Sequence, residues 1–176
     1  MVKLDIRKQL LLGLSKSNAE CIADYIGHDR ERFHELIQLL CQTDSIISAR
    51  AGMVLSKCAD NYPHLVEPHL KQLILNLKNE IPDAVKRNTI RVLQDIEIPD
   101  PLLEVTADAL FTIMENRHEP IAVKVFTMSV LFNICLKIPE LAKELKLLIE
   151  DQMPYGSAGF KNRGKKIIQK LERLMH

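Results

Sequence analysis

The sequence predicts an all-α protein built from a repeated helix pair, and three observations carry the prediction. Glycine is scarce, 6 in 176 residues, and the 8 prolines are dispersed. Apolar residues recur every three or four positions, with no alternating stretch that would read as a strand. The chain also repeats itself: Val54-Leu55, Val92-Leu93 and Val130-Leu131 are spaced 38 apart, and each Leu is followed eight residues later by Pro63, Pro101 or Pro139, with Leu65, Leu103 or Leu141 two further on. A fixed period of this length is the signature of stacked helical units.

The elements follow in order. Ahead of the repeats lie a Leu-rich helix at about Lys3 to Leu14 and a short one at about Ser17 to Gly27. In the earliest full unit the first helix carries Phe33, Leu36, Ile37 and Leu40, and Asp44-Ser45 caps the helix after it. The second helices align Ile47, Val85 and Val123, then Ala51, Thr89 and Thr127, then Cys58, Ile96 and Ile134, which places one apolar stripe along each helix. First helices follow the aligned prolines, with Leu103, Ala107, Leu110 and Phe111 in one copy and Leu141, Leu145, Leu148 and Ile149 in the next. Proline fits there because a first-turn residue has no intrahelical acceptor for an N–H. Pro82 and Pro120 begin the second helices, and Pro154-Tyr155-Gly156-Ser157 supplies a turn and cap before the last. That last helix repeats the stripe as Phe160, Gly164, Ile167, Ile168 and Leu171 at an offset of 37. The array is therefore expected as one domain over 1–176, with a cap at 1–24 and units at 25–62, 63–100, 101–138 and 139–176.

Helix pairs of this length, with Pro opening the first helix and a small-residue column in the second, resemble HEAT repeats, over about residues 25–176. Lys86 and Lys124, with the acidic Asp83 and Glu119 near the helix starts, resemble the charged positions of such units, although Ser48 departs from that column. The resemblance implies an armadillo/HEAT-like α-solenoid, a right-handed α-α superhelix in which each unit buries its stripe against its neighbours. Such arrays present surface rather than enclose a pocket, so the implied function is a protein-binding scaffold.

Composition narrows the rest. Lys and Arg number 24 against 23 Asp and Glu, a formal charge of +1, so no whole-protein field attracts nucleic acid or membrane. Cys21, Cys41, Cys58 and Cys135 contain no C-x-x-C, and with no secretory leader they read as buried free thiols of a cytoplasmic protein. No apolar run approaches the roughly 20 residues a membrane span needs.

No catalytic constellation emerges. Neither His28 with His34 nor His64 with His69 has the spacing of a helical zinc pair, and His69 aligns with the core-facing Ala107 and Leu145. Glu31 with Glu35, and Asp95 with Glu97, read as solvated carboxylates without the burial that separates pKa values. Met153-Pro154-Tyr155-Gly156-Ser157 and Lys161-Asn162 contain fragments of the G-S-S-x-M-P-x-K-x-N loop of the fumarase and adenylosuccinate lyase superfamily, in the wrong order. HEAT-like DNA glycosylases grip lesions with aromatic residues, especially Trp, and this chain has no Trp. The sequence thus implies no enzyme, no cofactor and no metal.

Charge segregation is the informative surface signal. From Ser157 to His176 stand six bases, Lys161, Arg163, Lys165, Lys166, Lys170 and Arg173, against Glu172 alone. A terminal repeat is expected to carry charge for solubility, and basic residues suit a helix C-terminus, so the segment reads either as a cap or as a binding patch. The leading expectation is a groove of second helices in which Lys86, Arg87, Arg91 and Lys124 meet an acidic helix or extended segment of a protein partner. The second is nucleic-acid or acidic-partner binding through Lys161, Arg163, Lys165, Lys166 and Lys170 of the last helix.

Overall fold

The computed structural model describes residues 4–13 and 15–175, in which α-helices and short 3₁₀ turns occur and no strand does. The predicted ends Lys3 and Leu14 of the first helix, and His176, lie outside the described residues. The chain divides into two compact units, up to Val92 and from Leu93 onward.

In the first unit, polar caps set where helices begin. Asp5 accepts the Lys8 N–H ahead of α1 (Ile6–Leu12), and Ser15 accepts that of Asn18 ahead of α2 (Lys16–Ile26). Asp29 accepts from Glu31 and Arg32 to open α3 (Arg30–Leu40), and Asp44 from Ile46 and Ile47 to open α4 (Ser45–Asn61). Each such cap contributes about 1 kcal/mol by satisfying otherwise orphaned N–H groups. Gly27 ends α2 at φ 51°, a conformation only glycine adopts without strain. The predicted helix after Pro63 starts late. Pro63–Leu65 and Glu67–His69 are 3₁₀ turns, and α5 covers only Leu70–Asn76. Pro68 is the physical reason, because it has no N–H to donate to an α-helical ladder. α6 (Asp83–Leu93) closes the unit.

In the second unit, Pro101 lies in the first turn of α7 (Asp100–Glu115), and Pro120 caps α8 (Ile121–Cys135). Pro139 again opens a 3₁₀ turn, Pro139–Leu141, before α9 (Ala142–Gln152). A further turn, Met153–Tyr155, leads into α10 (Ala158–Met175). α8 packs against α7, α9 and α10 and forms the centre of this unit.

Most of the aligned stripe positions form the core, while Leu141, Leu148 and Ile168 are half-buried. Ile47, Val85 and Val123, the small column Ala51, Thr89 and Thr127, and all three Val-Leu pairs are buried. Ile96 departs from its column: α6 ends at Leu93, so Ile96 sits in the following loop, half-buried. Among the thiols, Cys58 and Cys135 are buried as expected, and burial pushes them up to about 12 and about 11. Cys41 is half-buried, and Cys21 corrects the expectation outright: it is exposed, on the face of α2 opposite the buried Ala19, Ile22, Ala23 and Ile26. None of the described helices is long and apolar enough to cross a membrane.

Candidate binding groove

The geometry of α10 starts from its apolar stripe. Phe160, Gly164, Ile167 and Leu171 are buried, and α10 packs on both α8 and α9. Gly164 permits the close approach, since a Cβ there would stand 2.9 Å from both the Ile149 Cγ2 and the Met153 Sδ. At 3.6 residues per turn, Arg163, Lys166, Lys170 and Arg173 fall on one line beside that stripe. Glu172, the lone acid of the segment, is on the other flank, where the Lys146 ammonium of α9 holds it at 2.8 Å. The Glu172 and Glu150 carboxylates raise the pKa of Lys146, the Glu172 hydrogen bond first.

The cationic line borders a groove of about 530 Å³ between α8, α10 and the loop before α7. The Arg163 guanidinium donates to the Ser129 hydroxyl at 2.7 Å and stands 3.5 Å from the Gln94 Oε1. The Lys170 ammonium lies 5.2 Å from the Phe132 ring centroid, within cation–π range. Lys166 and Arg173 complete the cationic wall, Ile167 contributes an apolar floor, and Asp95 is the one carboxylate among the lining residues. Two residues hold the opposing loop. Asn133 donates to the Gln94 carbonyl at 3.1 Å, and Lys137 reaches Glu97 at 2.9 Å, Asp100 at 3.2 Å and the Ile98 carbonyl at 3.2 Å. The hydrogen bonds that Lys137 donates to Glu97 and Asp100 raise its pKa.

The remaining candidates distribute differently. Lys165 is exposed and Lys161 half-buried, both on the side of α10 away from the groove. In the first unit Arg87 is exposed, Lys86 is half-buried, and Arg91 is bound to Asp60 at 3.0 Å. Lys124 corrects the expectation of a surface contact. It is 5% exposed, and its ammonium donates to the Gln152 Oε1 at 2.7 Å while the Gln152 amide donates to the Met114 carbonyl at 2.8 Å. The long aliphatic stem makes this burial possible, and the network joins α7, α8 and α9. Desolvation lowers the Lys124 pKa, with Glu119 acting against it.

Sequence reasoning missed Phe132, Ser129 and Gln94 as groove residues. The available signal was that Phe132 follows the core residue Leu131 and so points off the stripe. Arg173, counted only as charge, falls ten residues after Arg163 and therefore on the same helical line. The carboxylates Glu31, Glu35, Asp95 and Glu97 are exposed. Among the described residues, no group of three or more His, Cys, Asp or Glu converges as a metal cage.

A protein-family model described as HEAT repeat domain matches residues 6–171. No curated protein and no solved structure matches the chain.

Proposed function

Because the chain belongs to the HEAT repeat family, we propose that it is a non-enzymatic interaction module whose α8–α10 groove seats an acidic segment of a partner protein. HEAT repeats are helical scaffolds that typically mediate protein interactions, and the groove chemistry supports the finer reading. The single observation that carries it is the line Arg163, Lys166, Lys170 and Arg173 set against one carboxylate, Asp95. Phe132 and Ile167 offer apolar area for an anchoring side chain, and the amides of Gln94, Asn133 and Gln169 suit peptide backbone. In this reading residues 1–24 cap the array, units run over 25–62, 63–100, 101–138 and 139–176, and the last unit supplies α9 and α10. Four unpaired thiols fit a reducing cytoplasm.

Fluorescence anisotropy with a labelled peptide rich in Asp, Glu and Leu tests the proposal. Binding is expected to weaken strongly in Arg163→Glu/Lys170→Glu and to persist in Arg87→Glu; equal affinity in all three proteins would refute the groove. Phe132 favours a second reading, single-stranded nucleic acid with a base stacked on its half-exposed ring. A labelled oligonucleotide that outcompetes the peptide, with affinity falling steeply as salt rises, would establish that reading instead.

A further inference from the structure

Four of the six histidines meet along one seam of the first unit, in pairs that their chain spacing conceals. His28 stacks on His64 with ring centroids 5.5 Å apart and planes 21° apart, and Tyr62 packs edge-on against His28 at 4.3 Å. His34 on α3 faces His69, at the end of the 3₁₀ turn Glu67–His69, at 5.4 Å with planes 37° apart. Phe33 backs the His69 ring at 5.6 Å.

The two pairs differ in what they can hold. A tetrahedral zinc-like ion takes metal–nitrogen bonds of about 2.0–2.1 Å, which places two ligating imidazole centroids about 5.2 Å apart. The His34–His69 centroid separation of 5.4 Å lies within a small side-chain adjustment of that figure. His28 and His64 instead stack face to face, with Tyr62 edge-on against His28, and among the described residues no side-chain amide is bonded to either ring as Gln38 is to His34.

We propose that His34 and His69 form a two-imidazole site for a zinc-like divalent cation, which staples the Glu67–His69 turn to α3. Imidazole is the donor that suits such borderline cations. The side-chain amide of Gln38 stands 3.4 Å from the His34 Nε2, so a turn of that amide presents its oxygen as a third donor. His34 and Gln38 are exposed, leaving room for water at the remaining positions. His69 is half-buried, and desolvation, with His34 adding to it, lowers its pKa.

The test uses the full chain carrying Cys21→Ser, which removes the exposed thiol as a competing ligand. Titration with zinc chloride, followed by calorimetry and thermal unfolding, should show one equivalent bound and an unfolding midpoint raised by a few degrees, reversed by EDTA and absent with magnesium. His34→Gln and His69→Gln should each abolish the shift, while His28→Gln and His64→Gln retain it. Far-UV circular dichroism checks that the variants fold, and the exposed His34→Gln carries the comparison if His69→Gln does not. Absence of zinc binding, zinc binding that survives His34→Gln, or its equal loss in His28→Gln overturns the proposal.

Discussion

In the first unit, cations are drawn into local partnerships: Arg91 holds Asp60, Lys57 holds Glu20, and Arg32 holds Asp29 while stacking on Tyr25. In the second, Lys146 takes Glu172 out of the basic helix, and the four cations on the other flank of α10 line a groove that contains one carboxylate. The repeat is the same and the surfaces are not. Stripe residues bury the same faces in both units, whereas the positions beside the stripe decide whether charge is neutralised within the unit or presented to a partner.

Removing the packing beneath α10 gives the largest expected effect. Phe160→Ala deletes a fully buried ring and should destabilise the second unit by about 3–5 kcal/mol in urea titration, with loss of peptide binding. Charge reversal comes next. Arg163→Glu/Lys170→Glu should weaken acidic-peptide binding about a hundredfold, roughly 2.7 kcal/mol, with a lower urea midpoint from the lost Arg163–Ser129 and Lys170–Phe132 contacts. An equal loss in Arg87→Glu would erase the contrast between the units.

The glycines sharpen the comparison further. Gly164→Ala forces a methyl to 2.9 Å from Ile149 and Met153 and should cost about 1–3 kcal/mol. At Gly52 a methyl would meet Ala84 and Asn88 at 3.4 Å, ordinary contact, so Gly52→Ala should be neutral or stabilising by up to about 1 kcal/mol through helix propensity. Equal midpoints for the two variants would contradict the close α9–α10 approach.

The smallest effect is on pH dependence. Burial holds His69 below its ordinary 6.5, so between the folded and unfolded values the unfolded chain binds more protons. With EDTA present, stability should fall as pH drops through 6.5 and level off below the folded value. His69→Gln should remove that component, and identical pH profiles for the two proteins would show that His69 contributes none of it.

Much of the fold was legible because helical burial is written locally. The columns through Ile47, Ala51 and Leu55 recur at a period of 38 and all reach the core. Ile96 escaped because stripe alignment carries no information on where α6 ends. Lys124 escaped because its buried acceptor, Gln152, comes from another helix, 28 residues on. The groove was half legible: the basic run was visible, but Phe132, Ser129 and Gln94 join it only after α8 and α10 pack.

By itself the sequence determined the helices, their buried faces and the concentration of positive charge near Ser157 to His176, since each rests on spacing within a few turns. The tertiary structure decided which charges pair and which line a groove. Such choices turn on ångström separations between residues far apart in the chain, as with Arg163 and Ser129, 34 residues apart and 2.7 Å from donor to acceptor. It decided the histidine pairs for the same reason: no periodicity of α3 places His34 against His69, and only the docking of the turn after α4 brings the two rings to 5.4 Å.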